Sequence, residues 1–141
     1  MTGEEAIDHI LGLLLAAWNT TAYTNRIKYD NVATESLPPS GNTPWARATL
    51  RHTDSGQASL ANAGGRRKFR RTGVLTVGVF VPQGTGFSKS TALATIVRDA
   101  YEGVSGPSGL WFRNVRINEI GPDGAWFLTN VVVNFEYDDV K

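Results

Sequence analysis

A lysine and a serine directly after a glycine turn are the residue types that hold a nucleotide's phosphates. Gly84-Thr85-Gly86-Phe87-Ser88-Lys89-Ser90 offers them between a strand-like run and a helix-like one. A phosphate-binding loop needs Gly-x-x-x-x-Gly-Lys followed by Ser or Thr. Gln83 and Ser88 stand at both glycine positions. The glycine before the lysine lets the backbone wrap the phosphates, so without it the segment reads as a turn that opens a helix. The histidines, His9 and His52, have no metal-type spacing. A general base also needs a positioned partner; His9 lies on the first helix beside its apolar stripe and His52 ends a strand, which suits surface or capping roles. Asp138 and Asp139 are adjacent, so on a continuing strand they point to opposite faces and cannot share a substrate. Glu4 and Asp8 do share a helical face, but acids at a helix start are accounted for by the helix dipole. Cysteine is absent, which removes disulfides, thiolate zinc sites and cysteine nucleophiles and suits a reducing cytosol. We therefore assign no catalytic, cofactor-binding or metal-binding residue and expect a protein that binds and assembles rather than an enzyme.

The strongest local chemistry is charge. Arg66, Arg67, Lys68, Arg70 and Arg71 crowd together around Phe69, while acids collect at Glu4, Glu5 and Asp8 and again at Glu136, Asp138 and Asp139. The net charge is only +1, so the asymmetry speaks to partners rather than to fold. The basic run has three readings: a grip on phosphates, the solvated end of a strand, or a protein interface for an acidic neighbour. We carry Arg66, Arg67, Lys68, Arg70, Arg71, Asp138 and Asp139 forward as candidate interface residues.

These groups must be placed by a small set of elements. Thr2 and Glu5 fit a capping box, and Ile7, Ile10, Leu11, Leu14 and Trp18 recur at helical spacing, predicting a buried helix over Gly3 to Trp18. Arg26 to Asn31 reads as a short strand. Leu37 to Pro44, with Pro38, Pro39, Gly41 and Pro44, cannot form regular structure. Trp45 to His52 alternates as a strand. Thr53 to Gly65 is small, polar and without period, and is expected to be a mobile loop that orders on docking. Arg67 to Val81 is apolar on both faces, as a central strand would be.

A second helix is expected from a Ser88 or Ser90 cap to about Val104, with Leu93, Ile96, Val97, Ala100 and Tyr101 inward. Trp111 to Ile120, a turn at Gly121-Pro122-Asp123-Gly124, and Ala125 to Tyr137 predict a long C-terminal β-hairpin, with Trp111 and Trp126 flanking its turn. Thirteen extended residues span roughly 43 Å, against a domain diameter of roughly 37 Å. The last strand then either crosses the whole domain or projects beyond it and needs a partner. The order of elements predicts one α+β domain over residues 1–141, a mixed and mainly antiparallel sheet flanked by two helices.

At 141 residues, 41% hydrophobic, the chain buries roughly 70% of its unfolded surface and needs no metal or disulfide to hold a core. Its longest apolar run, Leu13 to Trp18, falls far short of the ~20 residues that cross a bilayer. Glu4, Glu5 and Asp8 are the wrong charge for a secretory signal. No membrane partner is expected.

One arrangement of motifs adds to this reading. After the amphipathic helix and Pro-rich loop come Pro44-Trp45-Ala46-Arg47, then Arg71-Thr72-Gly73-Val74-Leu75-Thr76-Val77, Val81-Pro82-Gln83-Gly84-Thr85-Gly86, the second helix, and a final strand ending in Asn134-Phe135-Glu136-Tyr137. This order resembles the tail terminator proteins of lambda-like long-tailed bacteriophages and prophages, over nearly the whole chain. The resemblance implies a ring of six subunits in the tail-neck region of the virion, built in the host cytoplasm. Such a ring caps the tail tube, stops its polymerisation and meets a head-side connector or completion protein, while DNA passes through its lumen without sequence-specific contact. Another neck or tail-completion protein, or a nucleic-acid-binding module that uses Arg66 to Arg71, is the competing reading.

Overall fold

The structure, a computed structural model, describes residues 1–30, 43–59 and 64–141. Two helices and five strands follow one another as α1 (Gly3–Trp18), β1 (Ile27–Tyr29), β2 (Trp45–Gln57), β3 (Lys68–Pro82), α2 (Phe87–Asp99), β4 (Trp111–Asp123) and β5 (Trp126–Val140). The strands form one sheet in the order β1-β2-β3-β5-β4. Only the β1–β2 pair is parallel. The α+β class, the mixed sheet and the terminal hairpin are as the sequence predicts.

α1 starts where its capping box requires, with the Thr2 hydroxyl accepting the Glu5 backbone N–H at 3.2 Å. Ala6, Ile10, Leu14 and Trp18 are fully buried at four-residue spacing, and the Trp18 indole N–H donates to the Tyr23 carbonyl at 2.8 Å. The helix is rotated from the predicted stripe: Ala6 takes the core position, and Ile7 and Leu11 are only partly buried. α2 contributes Leu93, Ala94 and Val97 to the same core. The Tyr101 hydroxyl ties the two helices together by donating to the Ile10 carbonyl at 2.7 Å, and burial pushes that phenol's pKa far up. Both helices cover one face of the sheet, against Leu75, Val77, Val79 and Val81 of β3 and Val131, Val133, Phe135 and Tyr137 of β5. Among the described residues the opposite face carries no helix. It has a smaller cluster of its own: Trp45 stacks on Phe80 with ring centroids 4.2 Å apart, Leu128 is buried beside them, and Trp126 meets Trp45 edge-on.

Several predicted boundaries move. β2 does not end at His52 but runs on to Gln57, passing a bulge between His52 and Asp54. Thr53 to Gln57 is therefore strand rather than loop, because β3 supplies the hydrogen bonds that its own composition does not demand. Residues 60–63 and residues 31–42, which include most of the Pro-rich segment Leu37 to Pro44, lie outside the described residues. α2 is capped by Gly86, whose φ of 91° favours glycine, and not by a serine. Ser90 is instead buried and donates to the Phe87 carbonyl at 3.0 Å. The helix stops at Asp99, short of Val104.

The hairpin turn is two residues later and tighter than predicted. Gly121 and Pro122 belong to β4, and Gly124-Ala125 joins the strands. Positive φ at Gly124 (61°) alone of the two fits a II′ turn. Trp126 sits beside that turn, but Trp111 lies at the far end of β4, opposite Glu136. The hairpin does not project. β5 is flanked on both sides and pairs with β3 from Pro82↔Trp126 to Lys68↔Val140, so the last strand crosses the whole domain.

Candidate assembly interface

Backbone register brings the predicted interface residues together. Beyond the helices, β2, β3 and β5 continue as a three-stranded extension in which Arg70 stands opposite Asp138, and Gly56 opposite Arg70. The Arg67 and Lys141 backbones extend the ladder, each donating to the other's carbonyl at 2.6 and 2.9 Å. Alternation then sorts the charges by face. On the open face Asp138 takes both Arg70 (Nε–Oδ1 3.4 Å) and Lys68 (Nζ–Oδ2 3.6 Å). On the helix-bearing face Asp139 takes Arg71 at 3.1 Å, and Arg71 also bonds the Ser55 hydroxyl. Arg71 and Lys141 each lie over the Phe69 ring, 5.3 and 5.5 Å from its centroid. Asp138 and Asp139 do point to opposite faces, as their adjacency predicts.

The acidic N-terminus meets this same end. The Met1 ammonium donates to the Asp138 carbonyl at 3.2 Å. Charges far apart in sequence are thus compensated within one chain. Basic side chains still predominate on the extension: Arg66, Arg67, Lys68, Arg70, Arg71 and Lys141 face Asp54, Asp138 and Asp139. Next along the open face, Glu136 is almost completely buried and pairs with Arg113 at 3.3 Å. Arg113 also lies over the Trp111 ring, 5.3 Å from its centroid.

His52 lies inside β2 rather than ending it. Its Nε2 is 2.8 Å from the Tyr137 hydroxyl, and its ring meets Phe135 and Tyr137 edge-on. Desolvation by these rings, and secondarily the Arg71 guanidinium, hold its pKa below the usual histidine value. Desolvation likewise raises the Tyr137 phenol. In the glycine turn, the Lys89 ammonium lies 5.1 Å from the Tyr23 ring centroid and the Ser90 hydroxyl is turned inward to the Phe87 carbonyl. Among the described residues no three acidic or histidine side chains gather as a metal site, and no helix is long and apolar enough to cross a membrane.

The family model for phage tail terminator proteins matches residues 6–135. The chain belongs to this family. Tail terminators are structural proteins of phage tails rather than enzymes, and this member presents a sheet with a charged end. Sequence comparison with curated proteins finds no match. One solved structure, which bears no descriptive name, is 17% identical and superposes with a TM-score of 0.67 over 97% of this chain and 96% of its own, showing that the fold is shared. A chain from the virion of a native gene transfer agent particle is also 17% identical, with a TM-score of 0.48 and 92% coverage of both chains.

Sequence reasoning missed one feature of this terminator. The end opposite the basic cluster exposes apolar side chains: Phe87 is 72% exposed and Ile120 56% exposed, and Phe87 meets Phe127 edge-on at 6.0 Å. Phe87 was hidden within the glycine turn. Ile120 is swung out by a bulge between Glu119 and Gly121, which composition does not reveal.

Proposed function

We propose that this terminator forms a six-membered ring that caps the completed tail tube, stops its polymerisation and presents the opposite surface to a head-side connector or completion protein. Family membership over residues 6–135 carries this reading. The molecule suits it physically. β3 and β5 run the length of the domain in unbroken register, giving a stiff plate whose two ends differ in chemistry. A ring of such plates has two unlike rims, which is what a piece between two unlike partners requires. Its place is the tail-neck region of the virion, with assembly in the host cytoplasm, and DNA threads the lumen without sequence-specific contact.

The charged extension, with Arg66, Arg67, Lys68, Arg70, Arg71, Asp138 and Asp139, is the rim we assign to a neighbouring subunit or to the tube. Intrachain pairing of Lys68, Arg70 and Arg71 with Asp138 and Asp139 favours a protein contact over nucleic acid. A duplex would have to displace those carboxylates before releasing counterions of its own.

Imaging the purified protein with and without tail tubes, alongside its mass in solution, tests the function. Closed six-fold rings, and tube ends that carry a cap and no longer grow, are expected. A monomer that leaves tube length unchanged would overturn it.

A further inference from the structure

The sheet face that no described helix covers carries cations that the chain itself does not neutralise. Cross-strand register puts Lys28 of β1 beside Arg47 of β2 and Arg116 of β4 opposite Val132 of β5, all on that face. Arg47 lies over the Phe80 ring, 5.1 Å from its centroid. Arg116 Nη1 donates to the Asn114 carbonyl at 2.9 Å and reaches Asn134 Oδ1 at 3.5 Å. These partners are neutral and a guanidinium has five N–H donors, so both arginines keep donors and charge for an acceptor outside the chain. The nearby carboxylates are already taken: Glu136 pairs with Arg113 and Asp30 with Arg51. Among the described residues no carboxylate pairs with Lys28, Arg47 or Arg116. Trp111, 42% exposed and with Arg113 over its ring, stands at the edge of the same face. Tryptophan and arginine are the usual anchors of protein interfaces, which points to a protein partner with carboxylates.

The same chain supplies the complementary surface on its other side. α1 carries Glu4, Glu5 and Asp8 and no lysine or arginine. All three acids are exposed, and among the described residues none is ion-paired. Glu4 and Asp8 are four residues apart and so share one outward ridge, which continues with exposed Gly12 and Ala16. Both of these are small, so a flat sheet can approach the helix closely, and a Cβ on Gly12 would meet nothing within 4 Å inside the monomer. α1 packs on the helix-bearing face, so the acidic ridge and the cationic face look in opposite directions. Head-to-tail contacts join two such different patches of one subunit and close into rings. The area suffices. Four strands, β2 to β4 across the sheet, at about 4.8 Å spacing over the length from Trp126 to Glu136 make a plate of roughly 700 Å². A stable interface takes about 800 Å² from each partner.

We infer that the Lys28–Arg47–Arg116 face of one copy receives the Glu4–Asp8 ridge of α1 from the next, as the subunit contact of the ring. This rests on the ring reading above. Charge exchange, read by solution mass and imaging, tests it. Arg47→Glu with Arg116→Glu reverses the face, and Glu4→Lys with Asp8→Lys reverses the ridge. Each pair alone should leave monomers, with the circular dichroism spectrum kept. All four together should restore rings above either pair, short of wild type because Lys28 and Glu5 keep their signs. If the reversed face lowers the melting temperature, Arg47→Gln with Arg116→Gln removes the charge without reversing it and should still lose rings. Rings of wild-type mass that survive both reversals overturn the contact and leave the ring standing, as does a four-residue exchange no better than either pair. Loss with the reversed face but not with the reversed ridge gives the face another protein occupant and overturns the contact. Rings that persist while the reversed face loses salt-sensitive DNA retention assign the face to DNA and also overturn it. A wild-type chain that remains monomeric overturns contact and ring together.

Discussion

The ring of Phe135 lies directly over the Cα of Gly73, its partner across the β3–β5 ladder. A methyl group on Gly73 would collide with the Phe135 Cζ and with the Arg51 carbonyl. Phe135 is buried and in turn packs against His52 and Tyr137. The glycine is thus a seat for an aromatic ring where the helix-covered core gives way to the charged extension.

Gly73→Ala should destabilise the fold by roughly 1–3 kcal/mol, the usual cost of overpacking a filled core. The Arg51 carbonyl belongs to a sheet ladder and cannot yield as a side chain would. At about 2–4 °C per kcal/mol for a domain near this size, thermal unfolding followed by circular dichroism reads the loss directly. An unchanged melting temperature would refute the seat.

Glu136 depends on Arg113 for its charge partner. Arg113→Met leaves a buried carboxylate without its cation. A fully buried pair broken this way costs roughly 3–5 kcal/mol, and the half-exposed guanidinium (side chain 51% exposed) lowers the expected loss to about 1–2 kcal/mol. Adding Glu136→Gln to Arg113→Met should recover most of it. Chemical denaturation of the two single variants and the double variant measures the coupling.

His52 gives the fold an acid-side pH dependence. Its native pKa lies below its unfolded value, so the unfolded chain binds the proton more readily. The stability it contributes is present above the unfolded value of about 6.5 and is lost as pH falls through the native pKa. The ring has an exposed edge, so water screens the effect and the slope is shallow. Melting temperature measured from pH 7.5 to pH 5 should fall, and His52→Gln should flatten that component. Identical slopes in both proteins would contradict it.

The Arg70–Asp138 pair separates cohesion within one chain from binding between chains. Arg70→Asp alone sets like charges opposite one another across β3 and β5 and should lower stability by up to about 1 kcal/mol. Adding Asp138→Arg restores the pairing with the charges exchanged and should recover only part of the loss, because Lys68 then faces a like charge. If the extension is a subunit or tube rim, a reversal at Arg67 and Arg70, Arg67→Glu with Arg70→Glu, abolishes ring or tube binding by far more than its effect on folding accounts for. Co-sedimentation with tail tubes, compared with melting curves, distinguishes the two effects. Full tube binding by the Arg67/Arg70 reversal would remove the extension from the interface.

Local rules made much of this legible. The α1 cap at Thr2 and the apolar spacing from Ile7 to Trp18 dictate a helix whatever surrounds it, because the cap and the periodicity are satisfied within the segment itself. The apolar run on both faces of Val74 to Val81 marks a central strand for the same reason. The missing glycines at Gln83 and Ser88 decide against a phosphate loop by stereochemistry alone. Thr53 to Gln57 was not legible, since its polar residues become strand only through hydrogen bonds from Phe69 to Thr72. Nor was Gly86 as the α2 cap, since several residues there compete for the position and the turn geometry chooses.

Sequence alone determined the element types, the α+β class, the lack of a motif for chemistry and the family whose motif order this chain follows. Tertiary structure decided where the charges meet. The basic run, the Asp138–Asp139 pair and the N-terminal acids are far apart along the chain, yet strand register sets Arg70 opposite Asp138 and the Met1 ammonium at the Asp138 carbonyl. Register is a property of paired strands, and no single segment encodes it. The same holds for the apolar end, where a bulge exposes Ile120 and a helix start exposes Phe87. The charged rim exists only in the folded chain, because folding brings residues from both ends of the sequence together.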